Sequence, residues 1–257
     1  MSAPDSGLPA ALLPRSEGAE DRPPTGPRKP SALRRTLRGL SSVLIVAGLL
    51  LLIDAGLTVT WQEPLSAIYA KTQQRGLQSD FEQLSDQAPT AVEQRALAAL
   101  PNPRARIAFA ARALNRKVRD GDAIGRIKIP RIGLSHVIIA GTDTQDLRKG
   151  PGHYPATPMP GAPGTVGIAG HRTTYGAPFR KVDELRKGDR ITVQMPYATI
   201  TYAVERLRIV APTATWVVDR RSYDRLVLTA CHPLYSAAQR IVVFARRIRE
   251  VPAGRIN

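Results

Sequence analysis

The chain has a single cysteine, Cys231, among its 257 residues. One thiol excludes a disulfide framework, a cysteine-based zinc site and an iron–sulfur cluster. The four histidines lie at positions 136, 153, 171 and 232, and no two of them have the i, i+3 or i, i+4 spacing of a helix-borne metal site. No acidic cluster resembles a calcium site. The sequence therefore predicts no metal and no other cofactor.

Aromatic residues are also scarce, at 5%, which weakens any stacking platform for single-stranded nucleic acid. The charge is strongly positive, with 37 Lys and Arg against 21 Asp and Glu and a formal net charge of +16. That balance permits an anionic partner. However, no helix-turn-helix, zinc-finger or RNA-binding signature accompanies it, so we predict no nucleic-acid partner.

The N-terminal part of the chain predicts a tail and a membrane anchor. Residues 1–39 are rich in Pro, Gly, Ser and Arg and show no hydrophobic period, which is typical of a disordered tail. Residues 40–61 are apolar apart from one charge, Asp54. As a helix this run would rise roughly 33 Å, against a hydrocarbon core of about 30 Å, so it can span a membrane. Trp61 suits the interface between membrane and water.

A cleaved secretory signal is the alternative, because the strongest apolar stretch, residues 43–53, is short. No good small-x-small cleavage site follows it, which favours an uncleaved anchor. Basic residues crowd the N-terminal flank, whereas residues 62–78 hold only Lys71 and Arg75. The positive-inside rule then places the tail in the cytoplasm and the rest of the chain outside the cell. We therefore predict a single-pass protein of the cell membrane.

The region after the anchor predicts broken helices. An Ala/Leu-rich stretch within residues 62–120 stops at Pro101, and Pro103 can open the next helix. We interpret residues 62–120 as a helical stalk or linker that carries a domain away from the membrane.

Residues 121–257 predict that domain. Apolar and polar residues alternate in short segments, and Gly/Pro clusters separate the segments. Eight short strands, with one or two helical turns near residues 179–185, predict an all-β fold, a closed antiparallel barrel. The predicted strands are residues 123–130, 137–140, 166–170, 189–195, 199–204, 206–210, 226–231 and 241–245.

The thiol lies in a Thr-Ala-Cys-His-Pro segment that ends at Pro233. The proline ends the predicted strand, so Cys231 lies beside a loop, where a reactive group is accessible. A small buried cysteine is the plainer alternative. A nucleophilic cysteine needs a partner that generates or stabilises the thiolate. His232 is the nearest histidine, but neighbours in an extended strand point to opposite faces.

His171 is a better partner by position. It closes the predicted strand 166–170 and opens a polar turn, so it can face a neighbouring strand end across a cleft. Taken alone, a surface histidine is the simpler reading. Arg240 begins the last predicted strand, nine residues after Cys231, and a short loop would return its guanidinium to the thiol. There it could hold a carbonyl oxygen or stabilise an oxyanion.

Together these motifs resemble the sortases, the cysteine transpeptidases of Gram-positive surfaces. The resemblance covers roughly residues 121–250 and rests on Thr-Ala-Cys-His-Pro, the arginine nine residues on, and Gly-His-Arg-Thr-Thr-Tyr-Gly sixty residues upstream. The family usually has threonine where this chain has Ala230. The histidine context is most similar to the class E sortases of actinobacteria, with class D as the near neighbour.

The resemblance implies an eight-stranded sortase barrel with His171, Cys231 and Arg240 as the catalytic set. Cys231 would attack the Thr carbonyl of a C-terminal sorting signal on a surface protein, of the Leu-Pro-X-Thr-Gly or Leu-Ala-X-Thr-Gly type. His171 would protonate the leaving glycine amine, and Arg240 would stabilise the oxyanion. An amine of the peptidoglycan precursor, or a pilin lysine, would resolve the thioacyl enzyme. The residues expected to contact the sorting signal are Tyr175, Thr229 and Ala230.

Two other functions stay open on the residues alone. A membrane-anchored basic binding module for anionic wall polymers, with Cys231 as a structural residue, would explain the charge but not the His–Cys–Arg set. A papain-like protease would place its cysteine ahead of its histidine and at a helix start. Here His171 precedes Cys231 and both lie on predicted strands. Thiol alkylation separates an enzyme from a binder, and ligation to an added amine separates a transpeptidase from a protease.

We expect the mature protein to keep residues 1–61 and to expose its C-terminus outside the cell. The reason is an arginine-flanked apolar run that lacks a good cleavage site. N-terminal sequencing of the membrane-bound protein, with protease accessibility of the C-terminus on intact cells, checks both statements. A membrane-free product that begins after Ala70 would contradict the prediction.

Overall fold

The computed structural model describes residues 32–60 and 64–256. Its first helix, α1 (Ala32–Thr60), contains the apolar run. Within α1, Thr36–Gly56 is long and apolar enough to cross a membrane, by length and composition. The helix begins before the predicted anchor, so residues 32–39, which were predicted as tail, are helical. The rest of the predicted tail and the predicted interfacial Trp61 lie outside the described residues.

Three further helices precede the barrel: α2 (Pro64–Asp86), α3 (Ala91–Ala98) and α4 (Pro103–Lys117). A capping box starts α3, because the side chain of Thr90 accepts a hydrogen bond from the amide of Glu93 and the Glu93 carboxylate accepts one from the amide of Thr90. Pro103 opens α4, as the sequence predicts, behind an Asn102 cap.

These helices pack against the barrel. Ile107, Ala111 and Leu114 of α4 lie buried in the main core, and Leu77 and Phe81 of α2 form a second buried cluster with residues of the barrel wall. The predicted stalk is therefore part of the folded domain and not a free spacer. Each helix has one apolar face, and burying that face against a sheet is the ordinary way such a helix is stabilised.

The eight strands are β1 (Ala123–Ile129), β2 (Leu134–Ala140), β3 (Gly152–His153), β4 (Thr165–Ala169), β5 (Arg190–Met195), β6 (Ala198–Val210), β7 (Arg225–His232) and β8 (Gln239–Pro252). They form a closed barrel in the order β1-β2-β3-β4-β7-β8-β6-β5, which confirms the predicted architecture. A short helix, α5 (Thr144–Lys149), lies between β2 and β3. The predicted helical turns near residues 179–185 correspond to a 3-10 helix at Val182–Glu184.

Three details of the predicted barrel are wrong. The segments 199–204 and 206–210 are one strand, β6, whose register against β8 shifts at two places, and such irregularities interrupt the alternation of side chains. The missed strand is β3, which at two residues is too short to show a period. The barrel is also not wholly antiparallel, because β2 pairs with β3, and β4 with β7, in parallel.

Alternation along the strands separates an inner face of the barrel from an outer one. Leu226 and Leu228 of β7 belong to the main core inside the barrel. Val227, between them, lies in a separate cluster with Val242 and Phe244 of β8. Because successive side chains of a strand point to opposite faces, this second cluster marks the outer face of β7 and β8.

We expect Phe81→Ala to lower the free energy of unfolding by about 3–5 kcal/mol, because the change truncates a large buried side chain. Phe81 is 3% exposed, in the cluster that joins α2 to the barrel. Denaturant unfolding of the full chain in detergent micelles measures the change. Val92, which is 74% exposed on α3, supplies the control, and Val92→Ala should alter stability by no more than about 0.5 kcal/mol. If Phe81→Ala and Val92→Ala both lowered the free energy of unfolding only slightly, the packing of Phe81 between α2 and the barrel would not stabilise the fold.

Candidate active site

Cys231 and Arg240 lie opposite each other in the antiparallel pair of β7 and β8. Side chains at directly opposed positions project from the same face, with Cβ atoms about 4.5–5.5 Å apart. The turn between these strands therefore returns Arg240 to the position beside the thiol. Both residues are partly exposed, so a ligand can reach them.

His171 reaches the same place through the parallel pair of β4 and β7. Ala169 lies opposite Thr229 in that pair, and the amide of Gly170 donates a hydrogen bond to the Thr229 carbonyl at 3.0 Å. His171 and Cys231 each follow the Ala169–Thr229 pair by two residues. The paired register ends at Ala169, and continuing it by two residues would bring His171 beside Cys231 at the edge of the barrel. In that arrangement Cys231 has the histidine on the β4 side and Arg240 on the β8 side.

The same alternation separates the two histidines near the thiol. Cys231 lies an even number of residues after Val227, so its side chain points to the outer face of β7 as Val227 does. His232 lies an even number of residues after Leu228, so its side chain points to the inner face. Nδ1 of His232 lies 3.1 Å from Nη1 of Arg172. Because a guanidinium can only donate, His232 accepts this hydrogen bond. Arg172 is buried, pairs with Asp183 at 2.8 Å and donates to the Cys231 carbonyl at 3.5 Å, so the His232 side chain belongs to a polar network that reaches the Cys231 backbone and not its thiol.

The His171 ring is only partly exposed. It lies against Tyr175, with ring centroids 5.3 Å apart and planes tilted by 42°. Its Nε2 is buried and has no hydrogen-bond partner among the residues that the structure describes. Burial, and secondly the positive charge of Arg148, lower the pKa of His171 below the usual histidine value. The ring therefore favours the neutral form, which can accept a proton.

Tyr175 follows His171 in a tight turn and is held by two helices. Its φ of 51° is in the left-handed region, which a tyrosine rarely adopts. The Tyr175 amide donates to the hydroxyl of Ser66 at 3.1 Å, and its ring meets Tyr69 edge-on at 6.3 Å; both partners belong to α2. The Arg148 guanidinium of α5 lies 5.6 Å from the centre of the Tyr175 ring. These contacts brace the turn that carries the histidine.

The other predicted contact residues, Thr229 and Ala230, point in different directions. Ala230 is 4% exposed and belongs to the main core, so its side chain faces the barrel interior. Thr229 has its hydroxyl 2.7 Å from the hydroxyl of Tyr154. Tyr154 was not predicted. It follows the very short β3, and its ring covers Gly167, where an added Cβ would come within 2.6 Å of the ring.

Arg240 uses part of its guanidinium to order the loop before β8. Its Nη1 donates to the carbonyl of Ala237 at 2.9 Å and to that of Gln239 at 3.0 Å. Nε and Nη2 make no hydrogen bond with the described part of the chain and can donate to a ligand. Across residues 32–60 and 64–256, no group of three or more His, Cys, Asp or Glu side chains is arranged to hold a metal ion.

Comparison with known proteins gives consistent matches. A family model for the sortase domain matches residues 127–248. The chain is 33% identical over 136 residues to sortase D of Bacillus subtilis, a match that covers 51% of this chain and 67% of that protein. It is 25% identical over 244 residues to sortase SrtE1 of Streptomyces coelicolor, covering 89% of this chain and 62% of that protein.

A solved structure supports the fold independently. The sortase D5 transpeptidase of Clostridium perfringens superposes with a TM-score of 0.56 at 23% identity, covering 69% of this chain and 99% of that one. A barrel of this topology, with one thiol at the end of β7, is the scaffold of a cysteine transpeptidase. The chain belongs to the sortase family. The similarity to both a sortase D and a sortase E is compatible with the predicted class.

Arg148→Gln should raise the pKa of His171, because the change removes one of the two causes that lower it. An NMR titration of the His171 ring measures the shift, in a Cys231→Ala background so that a thiol does not titrate with it. Lys187→Gln, which removes an exposed charge elsewhere, should leave the pKa unchanged. An unshifted His171 in Arg148→Gln would show that Arg148 exerts no field on the ring.

The same lowered pKa has a consequence for stability. The unfolded chain binds a proton on this histidine more readily than the folded chain does. The His171 contribution should therefore favour the folded state most above the ordinary histidine pKa of about 6.5, and weaken as pH falls from there toward the folded-state value.

Proposed function

We propose that this protein is a membrane-anchored sortase. It would cleave the C-terminal sorting signal of a surface protein between Thr and Gly and join that surface protein to an amine of the cell wall precursor. The observation that carries the proposal is the register of three adjacent strands, β4, β7 and β8. The register pairs Cys231 with Arg240 directly and, continued two residues past the Ala169–Thr229 pair, brings His171 to the same edge and face. This supports the three residues as one catalytic set.

In the first half of the proposed reaction, neutral His171 takes the thiol proton as Cys231 attacks the carbonyl carbon of the signal threonine. A C–S bond forms, and the negative charge moves to the carbonyl oxygen. The free N–H groups of Arg240 can donate hydrogen bonds to that oxyanion. The C–N bond to glycine then breaks, and the His171 imidazolium returns its proton to the leaving amine. The product is a thioester between the enzyme and the surface protein.

In the second half, an acceptor amine attacks the thioester. His171 takes a proton from the amine as the new C–N bond forms. The C–S bond then breaks and His171 returns the proton to the sulfur, which regenerates the Cys231 thiol and the neutral imidazole. We propose an amine of the peptidoglycan precursor as the acceptor, with a pilin lysine as the other option that the chemistry allows. The signal is proposed to be of the Leu-Pro-X-Thr-Gly or Leu-Ala-X-Thr-Gly type.

The predicted contact residues take different parts in this proposal. Thr229 precedes the thiol on the same face but is only 6% exposed, and its hydroxyl bonds the partly exposed Tyr154, so we place the signal against Tyr154 with Thr229 supporting it. Ala230 can contact the signal only through its backbone, because its side chain lies in the core. Tyr175 packs on His171 and between two helices, and we propose that it orients the catalytic ring.

The proposed organisation extends from the cytoplasm to the wall. The segment before α1 is the proposed cytoplasmic tail, the apolar stretch Thr36–Gly56 of α1 the proposed anchor, and the helices and barrel from Pro64 onward the proposed catalytic unit outside the membrane. Support comes from an apolar helix near the N-terminus and the basic residues before it. This arrangement presents the active site to secreted substrates and to lipid-linked wall precursors.

The test is mass spectrometry of the products formed by the full chain from a Leu-Ala-X-Thr-Gly peptide and triglycine. The wild type should give the ligated peptide, with the residues after Thr replaced by triglycine. Cys231→Ala should give neither the ligated peptide nor a covalent enzyme adduct, while the fold is retained, because the replaced group is small and lies at a strand end. Ligation by this variant would rule out the mechanism.

A matched pair of variants tests which histidine serves the thiol. His171→Ala should reduce ligation by roughly 10²–10⁴-fold, the usual contribution of general acid–base catalysis. His232→Ala should retain most activity, since His232 bonds Arg172 on the other face. Circular dichroism and thermal unfolding establish that both variants are folded before rates are compared. An inactive His232→Ala beside an active His171→Ala would reverse the assignment.

A further inference from the structure

A cleft lies apart from the thiol, between α2 and strands β1 and β2. Its volume is about 540 Å³. Three cations line it, Lys71 and Arg75 from α2 and Arg126 from β1, together with Ser135 and His136 from β2. No Asp or Glu is among the described residues that line it. The cleft therefore offers an anion both positive charge and hydrogen-bond donors.

The charge of the cleft is not neutralised within the protein. In the described part of the chain, none of the three cations is within 4.0 Å of a carboxylate oxygen. Arg126 is fixed by neutral groups, because it donates a hydrogen bond to the side-chain carbonyl of Gln78 and lies 5.9 Å from the centre of the Phe81 ring. The nearest acid in this network, Glu82, accepts a hydrogen bond from Gln78 and does not reach Arg126 directly.

The geometry of α2 makes the cleft a preformed site. Lys71 and Arg75 are four residues apart, so they are neighbours on one helix face, where like charges repel unless an anion bridges them. Gln74, between them, locks the helix to β2: its side chain accepts a hydrogen bond from the amide of Val137 at 2.7 Å and donates to the Val137 carbonyl at 3.2 Å. The cations are thus held on a fixed surface.

His136 adds a second, independent sign of a ligand. Its ring nitrogen Nδ1 is buried and has no hydrogen-bond partner among the described residues. A buried polar atom without a partner is unfavourable, and such atoms in native proteins are usually satisfied by water or a ligand. An anion bound between the cations would supply an acceptor for a proton on this nitrogen.

The sequence places the cleft close to the membrane surface. Only residues 61–63 separate α1 from α2, and Lys71 is the eighth residue of α2. Those connecting residues and the first two turns of α2 together span at most about 25 Å. The anions abundant at that depth are the phosphate groups of lipids, which attract Lys and Arg near the surface.

We propose that this cleft binds a phosphate-bearing group, and that a membrane lipid headgroup presents it. The ligand class is a phosphate monoester, diester or diphosphate. The proposal depends on the membrane anchor and not on the catalytic assignment. Gly176 of the turn that carries His171 also lines the cleft, so a ligand held there lies next to the active-site turn.

The test is native mass spectrometry of the full chain in detergent micelles with equal amounts of phosphatidylglycerol and phosphatidylcholine. The wild type should retain phosphatidylglycerol in preference. Lys71→Gln/Arg75→Gln should weaken that binding about 25-fold and Arg126→Gln about fivefold, at roughly fivefold for each cation. The control is Lys187→Gln/Arg221→Gln, which removes the same charge from exposed positions outside the cleft and should bind as the wild type does.

Inorganic pyrophosphate distinguishes the sources of the phosphate. If it displaces phosphatidylglycerol from the wild type, the cleft recognises the phosphate of a lipid. If it binds with the same dependence on the three cations while the lipid is not retained, the source is a soluble phosphate compound. The proposal would be overturned if the cleft variants bound phosphatidylglycerol and pyrophosphate as strongly as the control variant does. No readout is an enzymatic activity, so a failure here is distinct from a failure of the transpeptidase assignment.

Discussion

The parallel pairing of β4 with β7 is the constraint on which the site depends. Two strands that run in the same direction end at the same edge of a sheet, so Gly170, which follows β4, bonds Thr229 of β7, and His171 comes one residue later. A slip of one residue would move His171 to the other face and away from Cys231. Packing on both faces of β7 prevents this slip, because Leu228 is fixed in the inner core and Val227 in the outer cluster.

Register positions His171 but does not orient its ring, because the residue lies beyond the end of β4. The orientation comes from outside the barrel. Tyr175 packs on the ring, and Tyr175 is itself held in an unfavourable backbone conformation by contacts with Ser66 and Tyr69 of α2. The turn that carries His171 is therefore held by α2, the helix that follows the apolar helix α1 in sequence.

Local signals in the sequence were enough to predict most strands and the return of Arg240 to the position beside Cys231. The alternation of side chains predicts which residues of a strand share a face, so it places Cys231 and His232 on opposite faces. Pro233 marks the end of the strand, which places Cys231 beside a loop. Alternation does not report the partner strand, which is why the parallel pairs were missed. Alternation can be recognised only in a strand of several residues, so the two-residue β3 and its neighbour Tyr154 had no detectable pattern. The contact of Tyr154 with Thr229 joins residues 75 positions apart and exists only in the fold.

Part of the positive charge of the chain lies in the α2 cleft. Six basic side chains of the described structure pair with carboxylates, as Arg247 does with Asp224 and Glu250, whereas many others, the three cations of the α2 cleft among them, pair with none. The face of α2 that carries Lys71 and Arg75 lines the cleft, and the preceding turns of the same helix contact the turn of His171. An anion in the cleft can therefore act on the turn of His171 directly, through Gly176, or through the position of α2. A helix fixed by Gln74 and its apolar cluster would transmit such an effect as a small rigid shift and not by unfolding.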